Sequence, residues 1–106
     1  DREALGKKIA AERKARDKVR ATANGKLIAQ RDAANSLAKA KSARDGAARS
    51  AAKDASKKGK AQAAAKAAET AAAKAKAAAA DAAKAGDALK AAEMKVAELE
   101  KSLARL

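Results

Sequence analysis

The chain of 106 residues contains no Cys, no His, no Pro and no aromatic residue, and it has only five Gly. Without thiol or imidazole it lacks the usual nucleophile, the usual neutral-pH base and the side chains that bind transition metals most readily. Hydrolytic triads and zinc sites are therefore excluded. The 13 carboxylates remain, but a catalytic carboxylate needs a cleft of low polarity to shift its pKa. Only seven Leu, two Ile, two Val and Met94 are available to wall one. No GxGxxG or GxxxxGK[ST] pattern occurs, so a nucleotide site has no support either. The expectation is a non-enzymatic chain with no cofactor and no metal. The longest Ala run, Ala77 to Ala80, falls far short of the roughly 18 apolar residues of a membrane span. The opening Asp1-Arg2-Glu3-Ala4-Leu5-Gly6 carries no signal-peptide pattern, and zero Cys fits either redox compartment, so localisation is left open.

What is present is Ala, Lys, Arg, Leu and Glu, in 39, 18, 8, 7 and 6 copies. That bias belongs to long helices and coiled coils. The absence of Pro and aromatics agrees, since the first would break a helix and the second would anchor a compact core. Intrinsic disorder competes, because Leu, Ile and Val total 11 residues against a net charge of +13, which meets its compositional rule. Ala, the best helix former, argues for helix.

Periodicity gives the helices a face. Alternate steps of three and four backwards from the C-terminus visit Leu106, Leu103, Leu99, Val96, Ala92, Leu89, Ala85, Ala82, Ala78, Ala75, Ala71, Ala68, Ala64 and Ala61, and every one is apolar. A period of 3.5 predicts a seam for a left-handed supercoil. In the first half, Leu5, Ile9, Val19, Ala23, Leu27, Ala34 and Leu37 fall on one arc of a 3.6-residue wheel. Glu12, Arg16 and Gln30 share that arc, where long side chains snorkel outward or fix the register.

The expected fold is all-α, a long antiparallel two-helix coiled-coil hairpin forming one module. Its first arm is 1–56, its turn 57–60 and its second arm 61–106, with Gly59 of Lys57-Lys58-Gly59-Lys60 in the left-handed conformation that stops a helix. Facing residues would then have numbers summing to about 115, pairing Val19 with Val96 and Ile9 with Leu106. The alternative is a small four-helix bundle cut at Gly25, Gly59 and Gly86. The hairpin is preferred because one Gly costs only about 1 kcal/mol inside a helix and need not break it.

Charge is uneven. Residues 1 to 60 hold 18 basic and 7 acidic side chains, while residues 61 to 106 hold 8 and 6. Around the expected turn, Arg49, Lys53, Lys57, Lys58 and Lys60 face only Asp54. Such a cluster attracts an acidic protein surface, phosphate or anionic lipid through a salt-sensitive force, or serves as a solvated end. Non-specific nucleic-acid binding needs only such cations, although no aromatic is present for base stacking and no reading motif appears.

The segments Arg31-Asp32-Ala33-Ala34-Asn35-Ser36-Leu37-Ala38-Lys39-Ala40 and Ala71-Ala72-Ala73-Lys74-Ala75-Lys76-Ala77 resemble the Ala- and Lys-rich coiled-coil stalks of colicin-type bacteriocins and of TolA-type envelope proteins. The resemblance implies a long hairpin that spaces domains apart and presents its tip to an outer-membrane receptor. The stretch Ala61-Gln62-Ala63-Ala64-Ala65-Lys66-Ala67-Ala68-Glu69-Thr70 is similar to repeats of late-embryogenesis-abundant desiccation proteins, which follow an 11-residue period where this seam follows seven. Only Thr22 and Thr70 occur, which sets the chain apart from ice-binding Ala helices with regular Thr. The functional expectation is a structural and interaction module, a spacer whose basic tip docks an acidic partner or neighbouring domain, with self-association along the seam also open. The rivals are a basic nucleic-acid binder and a desiccation-protectant-like chain.

Overall fold

A computed structural model describes all residues, Asp1–Leu106, and contains two long helices and no strand. Helix α1 spans Arg2–Lys53, a single 3-10 turn spans Ala55–Lys57, and α2 spans Lys58–Ala104. Asp1 starts α1, its carboxylate accepting from the Glu3 N–H at 3.0 Å and its carbonyl from the Leu5 N–H at 3.0 Å. These bonds satisfy donors that a helix N-terminus leaves orphaned.

The break between the helices comes earlier than the expected 57–60, and it is made by Asp54 rather than by glycine. Asp54 leaves the helix with φ −143° and ψ 106°. Its carboxylate accepts from the Ser56 N–H at 3.0 Å and from the Ser56 hydroxyl at 2.7 Å, while its carbonyl accepts from the Lys57 N–H at 3.0 Å. An Asp that bonds the backbone two residues on is an Asx turn, and it needs no left-handed residue. No residue of the chain has positive φ. Gly59 therefore lies in the first turn of α2, and Gly25 and Gly86 lie inside α1 and α2. The four-helix alternative is not supported.

The chain divides into two compact units. The terminal unit comprises Asp1–Leu27 with Asp81–Leu106, and the turn unit comprises Ile28–Ala80. In the terminal unit the helices are antiparallel, since Arg13 pairs with Glu100 and Arg20 with Glu93. Its core is Ile9, Ala23, Ala82 and Val96, the last only 2% exposed. Around these, Leu5, Glu12, Arg16 and Val19 of α1 and Ala85, Leu89, Ala92, Leu99 and Leu103 of α2 are half-buried. In the turn unit Ala68 alone is buried. Residues 30, 33, 37, 40, 44, 47 and 51 of α1 and 61, 64, 71, 75 and 78 of α2 are half-buried there.

On α2 these positions are the seven-residue seam expected from the sequence, except that Leu106 lies beyond the helix end and is 60% exposed. On α1 the seam also steps by three and four, and the expected arc needs correction at two places. Leu27 is 55% exposed and Ala34 is exposed, while Ala33, Ala40, Ala47 and Ala51 face inward. A 3.6-residue wheel drifts by about 20° per heptad against a 3.5 repeat. Over four heptads that drift carries a straight-helix arc off the seam, onto Leu27 and Ala34. The cross-helix ion pairs join residues whose numbers sum to 113, for Arg13 with Glu100 and Arg20 with Glu93, and to 107, for Glu12 with Lys95.

Candidate functional site

The basic cluster expected at the turn comes from three consecutive elements of the turn unit. Arg49 and Lys53, four residues apart and so on one face, occupy the end of α1; Lys57 closes the 3-10 turn; Lys58 and Lys60 lie in the first turn of α2. All five are exposed, and none forms an ion pair. Asp54, the acid among them, is committed to Ser56, whose hydroxyl and backbone N–H hold its carboxyl below the ordinary carboxylate value. It is a capping group here rather than a partner for a lysine.

The helix ends sharpen the contrast. Lys53 sits favourably at the negative end of the α1 dipole, but Lys58 and Lys60 stand at the positive end of α2, where no acidic residue occupies the first turn. An anion arriving at this turn meets lysines and the helix N-terminus acting in the same direction.

Charge is better described by unit than by arm. The turn unit holds 12 basic and 4 acidic side chains, net +8, and the terminal unit holds 14 and 9, net +5. Cross-helix ion pairs occur only in the terminal unit: Arg13 to Glu100 at 3.0 Å, Lys95 to Glu12 at 3.5 Å and Arg20 to Glu93 at 3.9 Å. The one pair in the turn unit joins the neighbours Arg44 and Asp45. Arg13, Arg20, Glu93 and Glu100 occupy the flanking heptad position just after the seam residues Glu12, Val19, Ala92 and Leu99. That position pairs with its own kind when two helices run antiparallel. This clamp is readable from the two seams together, because Glu12 and Val19 already lie on the expected arc of α1. Of the polar seam residues, Glu12 reaches Lys95, and Arg16 turns out to Asp17 at 3.1 Å. Both snorkel, leaving no buried polar atom without a partner.

Each unit also has an open groove. In the turn unit, about 380 Å³ is lined by Ala33, Ser36, Ala67, Thr70, Ala71 and Lys74. In the terminal unit, about 230 Å³ is lined by Lys18, Val19, Thr22, Ala85 and Ala88. Neither brings together an acid, a base and a nucleophile, and no three His, Cys, Asp or Glu side chains are grouped to hold a metal ion. No helix is long and apolar enough to cross a membrane. No protein-family model, curated protein or solved structure matches the chain.

Proposed function

We propose that this chain is a non-enzymatic structural and interaction module, a helical spacer whose basic turn docks an acidic protein surface. The observation that carries the reading is the set of five exposed, unpaired cations at 49–60 beside an Asp54 already engaged by Ser56. Two uninterrupted helices of 52 and 47 residues support the spacer role. The resemblance to bacteriocin and TolA-type stalks makes a bacterial envelope receptor or an adjoining domain a candidate partner. An acidic protein is preferred to nucleic acid because five exposed cations gather within 49–60 at one turn, while the chain has no aromatic residue on which a base could stack.

Fluorescence anisotropy with a labelled poly-glutamate peptide tests this directly. At low salt the chain should bind, and reversing Lys57, Lys58 and Lys60 together to Glu should weaken binding by about tenfold or more. Unchanged affinity in that variant would remove the docking role from the turn. A random-sequence duplex that binds more tightly than the peptide, with a steep salt dependence indifferent to the three reversals, would favour the nucleic-acid reading.

A further inference from the structure

The groove of the turn unit lies on the side of the seam and is separate from the turn cations. Two of its lining residues, Ala33 and Ala71, are themselves seam positions, half-buried like most of the seam. The seam is thus open to solvent through the groove. Ala68 is the only buried residue of this unit, whereas the terminal unit buries four and braces its helices with three cross-helix ion pairs. The turn unit has no cross-helix ion pair or side-chain hydrogen bond of its own.

The chemistry of the lining limits the occupant. The floor is methyl groups. Its polar atoms are the Ser36 hydroxyl, the Thr70 hydroxyl, which donates to the Lys66 carbonyl at 3.2 Å, and the Lys74 ammonium. Small side chains on both walls let a third backbone approach closely, as ridge-into-groove packing of helices requires. Helical spacing puts Lys39 one turn from Ser36 and Lys74 two turns from Ala67 on the same flank, with Asp32 the acid there. A second copy of this chain would bring another turn unit of net +8 against the first, so self-docking is opposed by charge. A phosphate backbone would leave the methyl floor unused.

We infer that the groove lined by Ala33, Ser36, Ala67, Thr70, Ala71 and Lys74 is a docking slot for an acidic amphipathic helix. Small apolar residues at i, i+3 or i+4 and i+7 of that helix cover the open seam, and its flanking Glu or Asp side chains meet Lys39 and Lys74. The inference shares with the reading above the acidic character of the partner, and it places the contact on a different surface.

The probe is a synthetic helical peptide of about 21 residues with Ala and Leu at its inward heptad positions and Glu beside them. Binding is followed by anisotropy to the full chain and to variants whose helicity is checked by circular dichroism. Ala67→Arg fills the slot while adding a positive charge, so charge attraction alone predicts tighter binding and docking in the slot predicts about tenfold weaker binding. Ala67→Gln fills it without charge and should weaken binding similarly. Ala73→Arg, on the exposed outer face of α2, should not weaken it. Binding that is insensitive to Ala67→Arg and Ala67→Gln overturns the slot. If that insensitive binding is nevertheless lost in the triple Glu variant of Lys57, Lys58 and Lys60, the turn reading survives alone; the converse pattern keeps the slot and removes the turn. Sedimentation showing a dimer dissolved by Ala67→Arg would make a second copy the occupant and overturn the inference. A random duplex lost on the same substitution would overturn it in favour of nucleic acid.

Discussion

Asp54 shows how one side chain does what Gly59, five residues on, is expected to do. The sequence offers Gly59 as a helix stop, yet the stop is a carboxylate receiving two hydrogen bonds from Ser56, at 2.7 and 3.0 Å. Those bonds favour the ionised form and lower its pKa from the ordinary 3.8. A carboxyl that is more acidic in the folded chain than in the unfolded one contributes stability that is present above the unfolded value. That stability is lost as pH falls through the folded value. The window therefore opens near 3.8 and extends below it. Asp54→Asn keeps a capping oxygen but cannot titrate, so thermal melts of the two proteins should run parallel above the window. Within it the native chain should lose ground relative to the variant. The other 12 carboxylates are common to both chains, so the difference between the melts isolates Asp54, and profiles of identical shape would show that the cap charge does not matter.

At the scale of the helix, the glycines decide between two helices and four. Gly25 and Gly86 lie within α1 and α2 without positive φ, and a Cβ added at either would meet nothing within 4 Å beyond its neighbours and its own helix backbone. Replacing each by Ala should therefore stabilise the chain by about 0.5–1 kcal/mol, through lost unfolded-state freedom and better helix propensity. Urea unfolding followed by circular dichroism would measure it. A loss of stability at either site would mean that the backbone there needs glycine and that the helix is broken. The α2 seam was legible because a strict alternation of three and four residues survives even when most of its members are Ala. The α1 seam is blurred because Glu12, Arg16, Lys26, Gln30 and Arg44 occupy its steps, and because a 3.6-residue wheel drifts off a 3.5 repeat. Arg13 and Arg20 follow Glu12 and Val19, which the sequence arc already includes, but their pairing with Glu100 and Glu93 depends on how the two helices lie side by side. The turn cations were legible from composition alone, whereas the groove depends on which Ala residues of two helices come side by side.

On the scale of the whole molecule, the two units differ in what holds their helices together. The terminal unit combines Ile9 and Val96 with Ala23 and Ala82 and adds three cross-helix ion pairs. Exposed pairs of this kind contribute only about 0–1 kcal/mol each, so the larger difference is burial: one Ile and one Val side chain inside, against Ala68 alone in the turn unit. The turn unit must also confine net +8 within 53 residues, Ile28–Ala80, and that self-repulsion opposes the paired state. Local opening free energies follow buried apolar contact and charge balance. Seam amides of the turn unit, such as those of Ala64 and Ala75, should therefore exchange with deuterium faster than those of Ile9 and Val96 in the terminal unit. Salt separates the two causes. At about 1 M the Debye length falls to about 3 Å, which relieves repulsion between exposed lysines and leaves the methyl contacts in place. Added salt should slow exchange in the turn unit and move the terminal unit less, because there it also screens the favourable ion pairs. Equal protection in both units at low salt would contradict this account. A turn unit that exchanges fast at every salt concentration would assign the weakness to its Ala seam alone.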